Sequence, residues 1–320
     1  MTSRADSTTD DLHRPVVVGF DGSPSSASAL DAAAVEAVRL GVPLRIVHAY
    51  VWPIFYASLT NVPYEPSEWE PSASVRDDLA ATAERLATRH PGLAVQSRVM
   101  AGTGGPVLVA ESDDASMIVV GGRGIGGLAG LLAGSVAPYV ASHARCPVMV
   151  VRAGHNPPAG AGRVVVGVDG SPSSVAALWF AGAWAEGRDA TIDVIQAQPQ
   201  PDPEASTRVM RLVEAARRRH PSLAVGLTVV AGPASGALLM ASRSANLVVV
   251  GSRNRGEIAS LMLGSVGHDL VRRSGSPVVV VHGTAPGSAA VGGDDLDNLV
   301  GRETGSVRRS GVVRVGDAQP

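Results

Sequence analysis

The chain has 320 residues, of which 45% are hydrophobic and 18% charged, and its formal net charge is -2. This length fits two domains of ordinary globular composition. The near-neutral charge and the 3% aromatic content supply neither the electrostatic field nor the stacking platforms that nucleic acid binding uses. We therefore expect no nucleic acid partner.

The residue types exclude several kinds of chemistry. All 27 basic residues are arginine, so a P-loop and a Schiff-base enzyme, which both need lysine, are excluded. Cys146 is the single cysteine, so no disulfide can form within the chain, which fits a reducing cytoplasm. No stretch approaches the roughly 20 apolar residues of a membrane helix, and the polar start has no signal-peptide pattern. We expect a cytoplasmic protein with no membrane partner.

The apolar runs of the first half alternate with helical patterns. The runs lie at 15–20, 44–49, 93–101, 117–121 and 147–152, and alanine-rich helical segments lie at 27–40 and 75–89. Short Val- and Ile-rich runs are typical of strands buried on both faces, and strand–helix alternation predicts a parallel sheet. We expect a Rossmann-like α/β domain with five parallel strands in the order 3-2-1-4-5 and helices on both faces.

Five segments of the first half return, in the same order, in the second half. The paired segments begin at Pro15 and Arg163, Arg89 and Arg219, Met117 and Leu247, Gly134 and Gly264, and Cys146 and Ser276. Because the order is kept, the chain is a tandem duplication of one domain.

The repeats set the domain limits. We predict a disordered N-terminus at 1–13, a first domain at 14–152, a linker at 153–162, a second domain at 163–282 and a disordered tail at 283–320. The first pair of repeats is 148 residues apart and the later pairs 130, so the second copy is 18 residues shorter. The missing length maps to Val51–Ser74, which we interpret as a long loop of the first copy.

A glycine-rich segment follows the fourth strand of the first copy. Gly121 and Gly124 are followed, nine residues later, by Gly134 and Ser135 at the start of a helix. Glycines let a backbone approach a ligand closely, and a helix N-terminus attracts phosphate. Ser135 can cap the helix or turn its hydroxyl toward a phosphate oxygen. Asp21 follows the neighbouring first strand, where its carboxylate can take a ribose hydroxyl or a phosphate-bound Mg²⁺.

At these residues the sequence resembles the universal stress protein family in its tandem, two-domain form. ATP-binding members carry Gly-x2-Gly-x9-Gly-Ser/Thr, which residues 121–135 match. The first strand ends in the family's Asp-Gly-Ser at 21–23, and the second ends in Val-His-Ala at 47–49. The resemblance covers about residues 14–152 and 163–282 and implies two adenine nucleotide alpha hydrolase-like domains.

The resemblance implies an ATP site in each copy. In the first copy its residues are Asp21, Gly22, Ala49, Gly121, Arg123, Gly124, Gly134, Ser135 and Val136, and in the second Asp169, Gly170, Ala197, Gly251, Asn254, Gly264, Ser265 and Val266. Ala49 is expected to meet adenine through its backbone, and Mg²⁺ is expected only through the nucleotide phosphates near Asp21. Asn254 replaces the second glycine, and Gln196 replaces His48, so we expect the second copy to bind more weakly.

Three functions fit these residues. The leading hypothesis is a nucleotide-dependent regulatory module of the stress response, expected to be a homodimer that contacts a regulatory protein partner. The alternatives are a slow ATP hydrolase and a nucleotide-free stress scaffold. Hydrolysis needs a general base near the γ-phosphate, and beyond Asp21 the sequence names none, so no catalytic residue is assigned. Gly122, Gly124 and Gly127 fit a dinucleotide fingerprint by letter, but they follow the fourth strand rather than the first.

Overall fold

The computed structural model describes residues 14–50, 73–122, 134–154, 162–252, 263–282 and 314–315. These residues form an α/β structure of two compact units, and residues 141–149 group with the second unit although they precede the predicted linker. Each repeat is described here by itself. The predicted domain limits remain predictions.

The first repeat contains five strands and four helices within the described residues. They are β1 (Val16–Gly19), α1 (Pro24–Leu40), β2 (Leu44–Tyr50), α2 (Ala73–Arg89), β3 (Val95–Ala101), α3 (Gly104–Glu111), β4 (Met117–Gly121), α4 (Val136–His143) and β5 (Val148–Val151). A single 3₁₀ turn, Ser112–Asp114, follows α3.

The second repeat has the same succession of elements. They are β6 (Gly162–Gly167), α5 (Pro172–Ala185), β7 (Ala190–Gln198), α6 (Pro203–Arg219), β8 (Val225–Ala231), α7 (Ala234–Ser242), β9 (Leu247–Gly251), α8 (Ser265–Arg273), β10 (Val278–Val281) and β11 (Arg314–Val315).

The strand order confirms the predicted doubly wound architecture. The first repeat has the order β3-β2-β1-β4-β5 and the second β8-β7-β6-β9-β10, which are both 3-2-1-4-5. The pairs of β1 with β2 and β4, and of β6 with β7 and β9, are parallel. The strands β1, β4, β5, β6, β9 and β10 are largely buried Val-rich segments, as expected for a sheet covered on both faces, whereas β3 and β8 are largely exposed or half-buried.

Four details differ from the sequence prediction. The two-residue strand β11 pairs in parallel with β8, so the second repeat has a sixth strand, formed by residues that the sequence assigned to a disordered tail. Gly162 lies in β6 and pairs with Ala190 rather than ending a linker. α2 begins at Ala73, inside the predicted loop, whose residues 51–72 lie outside the described residues. The sequence prediction also left out α3 and its counterpart α7, which are short and weakly amphipathic.

Local sequence signals explain where α1 begins and ends. Ser23 is the N-cap, and its hydroxyl accepts a hydrogen bond from the Ser26 amide. Pro24 occupies the first turn, where its missing N–H costs nothing, and Gly41 ends the helix with a φ of 67°. The buried face of α1 consists largely of alanine, so the helix can lie close to the sheet.

One position of the second strand carries a charge of opposite sign in the two repeats, and it forms an ion pair in both. In the first, Arg45 of β2 donates to Glu111 of α3 at 2.8 Å, and side-chain exposure is 10% and 8%. Arg98 contacts the other oxygen of Glu111 at 3.3 Å. In the second repeat the register places Asp193 where Arg45 lies, and Asp193 pairs with Arg163 instead. Both repeats thus neutralise a charge at this position, with opposite signs.

We predict that Glu111→Ala lowers the free energy of unfolding of the first unit by about 3–5 kcal/mol, because it leaves the buried Arg45 guanidinium without a counter-ion. Asp31→Ala is the matched control, since its pair with Arg89 is about 60% exposed on both sides. That variant should cost no more than about 1 kcal/mol. Urea unfolding of both variants measures this, and equal losses would contradict the prediction.

Candidate functional site

The carboxyl ends of three strands converge at one edge of the first repeat. The register of β1 with its neighbours, continued past the strand ends, sets Asp21 level with Ala49 on one side and Gly122 on the other. The Phe20 amide donates to the Val47 carbonyl at 2.9 Å, so the parallel pairing continues beyond β1. This edge is the topological switch point, where ligands bind in open α/β sheets.

Asp21 is held by a turn that leads directly into α1. Its Oδ1 accepts a hydrogen bond from the Ser23 amide at 3.0 Å, and its own amide donates to Ser26 Oγ at 3.4 Å. Gly22 has a φ of 79°, a conformation that favours glycine, and no atom of the described residues lies within 4 Å of where its Cβ would be. Asp21 therefore lies half-buried beside an open backbone position.

The same turn occurs in the second repeat. Asp169 Oδ1 accepts from the Ser171 amide at 2.9 Å, the Asp169 amide donates to Ser174 Oγ at 3.3 Å, and Gly170 has a φ of 82°. Here the side chain of Arg208 covers the turn, because its Cδ lies 3.0 Å from where the Cβ of Gly170 would be. Among the residues that the structure describes, the turn at Gly170 thus has a covering side chain that the turn at Gly22 lacks.

The first glycine of the loop motif serves packing. A Cβ on Gly121 would lie 2.8 Å from the backbone carbon of Ser25 at the start of α1, and one on Gly251 would lie 2.5 Å from that of Ser173. Ser25 Oγ also donates to the carbonyl of Val151 at 3.4 Å. The helix and the strand end are therefore too close for any side chain at this glycine.

The glycine loop is closed at its base by backbone hydrogen bonds. The Gly134 amide donates to the Gly122 carbonyl at 3.1 Å, and the Gly264 amide donates to the Ser252 carbonyl at 3.2 Å. The ends of the segment between β4 and α4, and of its counterpart between β9 and α8, are thereby fixed. Arg123, Gly124 and Asn254, which the sequence places in these loops, lie outside the described residues.

The loop returns to the start of a helix in both repeats. Ser135 is exposed and immediately precedes α4, whose first residue is Val136. In the second repeat Gly264 is the N-cap, so Ser265 and Val266 belong to α8 itself. The N-terminal amides of both helices follow the loop base, as phosphate binding requires.

The two repeats differ at the end of their second strand. His48 Nδ1 bonds to the Phe20 carbonyl at 2.9 Å, so its imidazole is tied to the adjacent strand. Gln196 occupies the same position in the second repeat and is buried, and its Oε1 has no hydrogen-bond partner within the described part of the chain. Ala49 and Ala197, the residues expected to meet adenine, follow as half-buried residues.

A pocket of about 300 Å³ opens at the carboxyl ends of β6 and β7. We call it the second-repeat pocket; it is lined by Asp169, Gln196, Ala197, Gln198, Pro199, Gln200, Asp202 and Ala205. Sequence reasoning had singled out two of these residues, Asp169 and Ala197, as site residues. It missed Gln198, whose amide donates to the Asp202 carbonyl and to Ser206 Oγ at 3.1 and 2.9 Å and thereby shapes the wall.

The described residues contain neither a cluster of metal ligands nor a membrane-spanning helix. Within the described ranges, no group of three or more His, Cys, Asp or Glu side chains is arranged to hold a metal ion. Among the helices that the structure describes, none has the length and apolarity needed to cross a membrane.

Comparison with known proteins identifies the class. The model of the universal stress protein family matches residues 13–152 and 160–282. Universal stress protein Rv2623 of Mycobacterium tuberculosis is 32% identical over 284 residues, covering 83% of this chain and 95% of that protein. Universal stress protein Rv2005c of the same species is 31% identical over 287 residues, covering 83% and 96%.

Solved structures show the same fold. A universal stress protein from Archaeoglobus fulgidus has a TM-score of 0.64 at 20% identity, covering 85% of this chain and 97% of that one. A putative universal stress protein from Pseudomonas aeruginosa has a TM-score of 0.57 at 16% identity, covering 86% of this chain and 95% of that one. The repeated α/β units, each with a glycine loop after its fourth strand, define a tandem Rossmann-like protein. The chain belongs to the universal stress protein family.

We predict that Gly121→Ala destabilises the first unit by about 1–3 kcal/mol, because the added methyl group meets the Ser25 backbone. Gly122→Ser is the matched control: the second repeat already has Ser252 there, and the nearest atom to a Cβ on Gly122 is 3.5 Å away. The control should stay within about 1 kcal/mol of the parent. Equal thermal melts for the two variants would show that this packing does not constrain the glycine.

Proposed function

We propose that the first repeat binds ATP and that the bound nucleotide regulates contacts with a protein partner. One observation supports this most strongly: Asp21, Ala49 and the closed base of the glycine loop lie at a single sheet edge. These groups can contact the phosphates, the ribose and the adenine of a nucleotide, and none of these contacts requires the lysine that the chain lacks.

Each group has a role in this proposal. The N-terminal amides of α4 and the loop glycines hold the phosphates, whose negative charge the helix N-terminus favours. Asp21 takes a ribose hydroxyl or the Mg²⁺ carried by the phosphates, and the backbone at Ala49 contacts adenine. The open backbone at Gly22 leaves room for the ligand beside Asp21. Gly121 is needed for packing, so it acts by positioning the loop rather than by touching phosphate.

Binding, rather than turnover, is the function these residues support. The carboxylate of Asp21 already accepts a hydrogen bond from the Ser23 amide, and among the described residues at this edge we assign no second carboxylate as a base. A bound nucleotide that is released slowly can act as a signal through the surface around it. The cytoplasmic location, the homodimer and the regulatory partner belong to the same proposal.

We predict that Gly124→Ala and Asp21→Asn each weaken ATP binding to the first repeat about ten- to hundredfold, the worth of one charge-assisted contact. Asp21→Asn keeps an oxygen that can accept from the Ser23 amide, so the turn should persist. Calorimetry of the full chain measures binding, and melts with and without ATP measure the linked stability.

The control for these variants is Asp169→Asn, the same substitution in the second repeat, which should leave the first site unchanged. ATP hydrolysis is followed over hours in the same samples. If ATP binds both variants as it binds the parent, the site lies elsewhere.

We also predict that the second repeat binds ATP more weakly than the first, because Asn254 stands where the loop has its second glycine. Asn254→Gly should strengthen that site about tenfold, since it removes the side chain that would crowd a phosphate. Two-site calorimetry checks this, with Gly124→Asn as the reverse exchange in the first repeat. Equal affinities at both sites, unchanged by either exchange, would refute the asymmetry.

A further inference from the structure

The second-repeat pocket contains one polar group that its own fold leaves unused. Asp169 holds the Ser171 amide, Asp202 caps α6 by accepting from the Ala205 amide at 2.9 Å, and Gln198 bonds to Asp202 and Ser206. These side chains shape the pocket wall. Gln196, by contrast, is 2% exposed, and its Oε1 has no hydrogen-bond partner among the residues that the structure describes.

The first repeat shows how the family fold satisfies a polar side chain at this position. His48 bonds to the carbonyl of Phe20 at 2.9 Å, and the corresponding carbonyl in the second repeat belongs to Val168. The Oε1 of Gln196 cannot copy this bond, because an amide oxygen only accepts and a carbonyl oxygen cannot donate. A buried polar atom without a partner is costly, and at the wall of a pocket a bound ligand can supply the missing partner.

The amide of Gln196 defines the chemistry that would complete it. A primary amide carries a donor and an acceptor side by side, and a half-turn about its last bond exchanges them. Adenine offers the complementary pair, an exocyclic amino donor beside a ring-nitrogen acceptor. The pocket volume of about 300 Å³ suits a nucleoside-sized group at the small end of the range of ligand sites.

We propose that Gln196 is the specificity-determining residue of the second repeat, where its amide pairs with the base of an adenine nucleotide. This inference rests on the proposed function, because it takes the edge of the second repeat as a nucleotide site. It differs from the first repeat, where His48 is tied to the neighbouring strand and the base is left to the backbone. The two repeats therefore select their ligands by different groups.

Photolabelling of the full chain with 8-azido-ATP tests this proposal site by site. Trypsin cleaves after Arg188 and Arg208, giving peptide 189–208 with the pocket wall, and after Arg45 and Arg76, giving peptide 46–76 of the first repeat. In the parent protein both peptides should be labelled, and ATP should protect 189–208 about tenfold better than GTP.

Three variants separate recognition from structure. Gln196→Glu presents acceptors alone, which suit the two donors of guanine, so labelling of 189–208 should fall about tenfold and the preference for ATP over GTP should shrink or reverse. Gln196→His introduces the residue of the first repeat. Its imidazole should bond to the Val168 carbonyl and should no longer recognise the nucleotide base. Gln196→Met removes the unpaired amide, so it should lose the label while its melting temperature stays level or rises.

Labelling of 46–76 should be unchanged in all three variants. Label on 46–76 with none on 189–208 would overturn this inference and leave the proposed function of the first repeat intact. No label on either peptide would overturn both. Label on 189–208 that the three variants leave unaltered, or a Gln196→Met variant that melts well below the parent, would show that Gln196 has a structural role only.

Discussion

The contact between the start of a helix and the end of a strand determines the geometry of each repeat. In the first, the backbone of Ser25 lies so close to Gly121 that no side chain fits between them. This contact fixes where α1 begins, and α1 begins with the turn that holds Asp21. It also fixes where β4 ends and the loop starts. The candidate site is therefore a consequence of helix–sheet packing, and the second repeat reproduces it through Gly251 and Ser173.

The two repeats have kept this frame and exchanged the polar groups around it. The second strand has Arg45, paired with Glu111 of α3, in the first repeat and Asp193, paired with Arg163 of β6, in the second, so the reversed charge has a partner from a different element. Such a compensated exchange preserves folding, because a charge removed from water without a partner is destabilising. The exchange of His48 for Gln196 has no matching partner in the second repeat. This difference between the repeats is the observation from which we propose that Gln196 contacts a ligand.

Much of the fold could be predicted from the sequence, because strong periodic signals were present twice. Valine runs predicted the strands, and the repeated order predicted two domains with the 3-2-1-4-5 arrangement. The short helices α3 and α7 were not predicted: α3 opens with Gly104 and has little amphipathic pattern, although its Leu108 fills the space that Gly19 leaves on β1. The pairing of β11 with β8 joins residues far apart in sequence, which local patterns do not reveal.

The glycines of the loop motif have different physical roles. Gly121 and Gly251 are both required by packing, so their presence in the two repeats carries no information about a ligand. Gly134 and Gly264 close the loop base through their amides, which any residue except proline could supply. A motif match alone would therefore score the two repeats as nearly equal. The positions that can separate them are the second glycine, Gly124 against Asn254, and the polar residue at the end of the second strand. We accordingly propose that nucleotide affinity and base preference are set by different parts of the same edge.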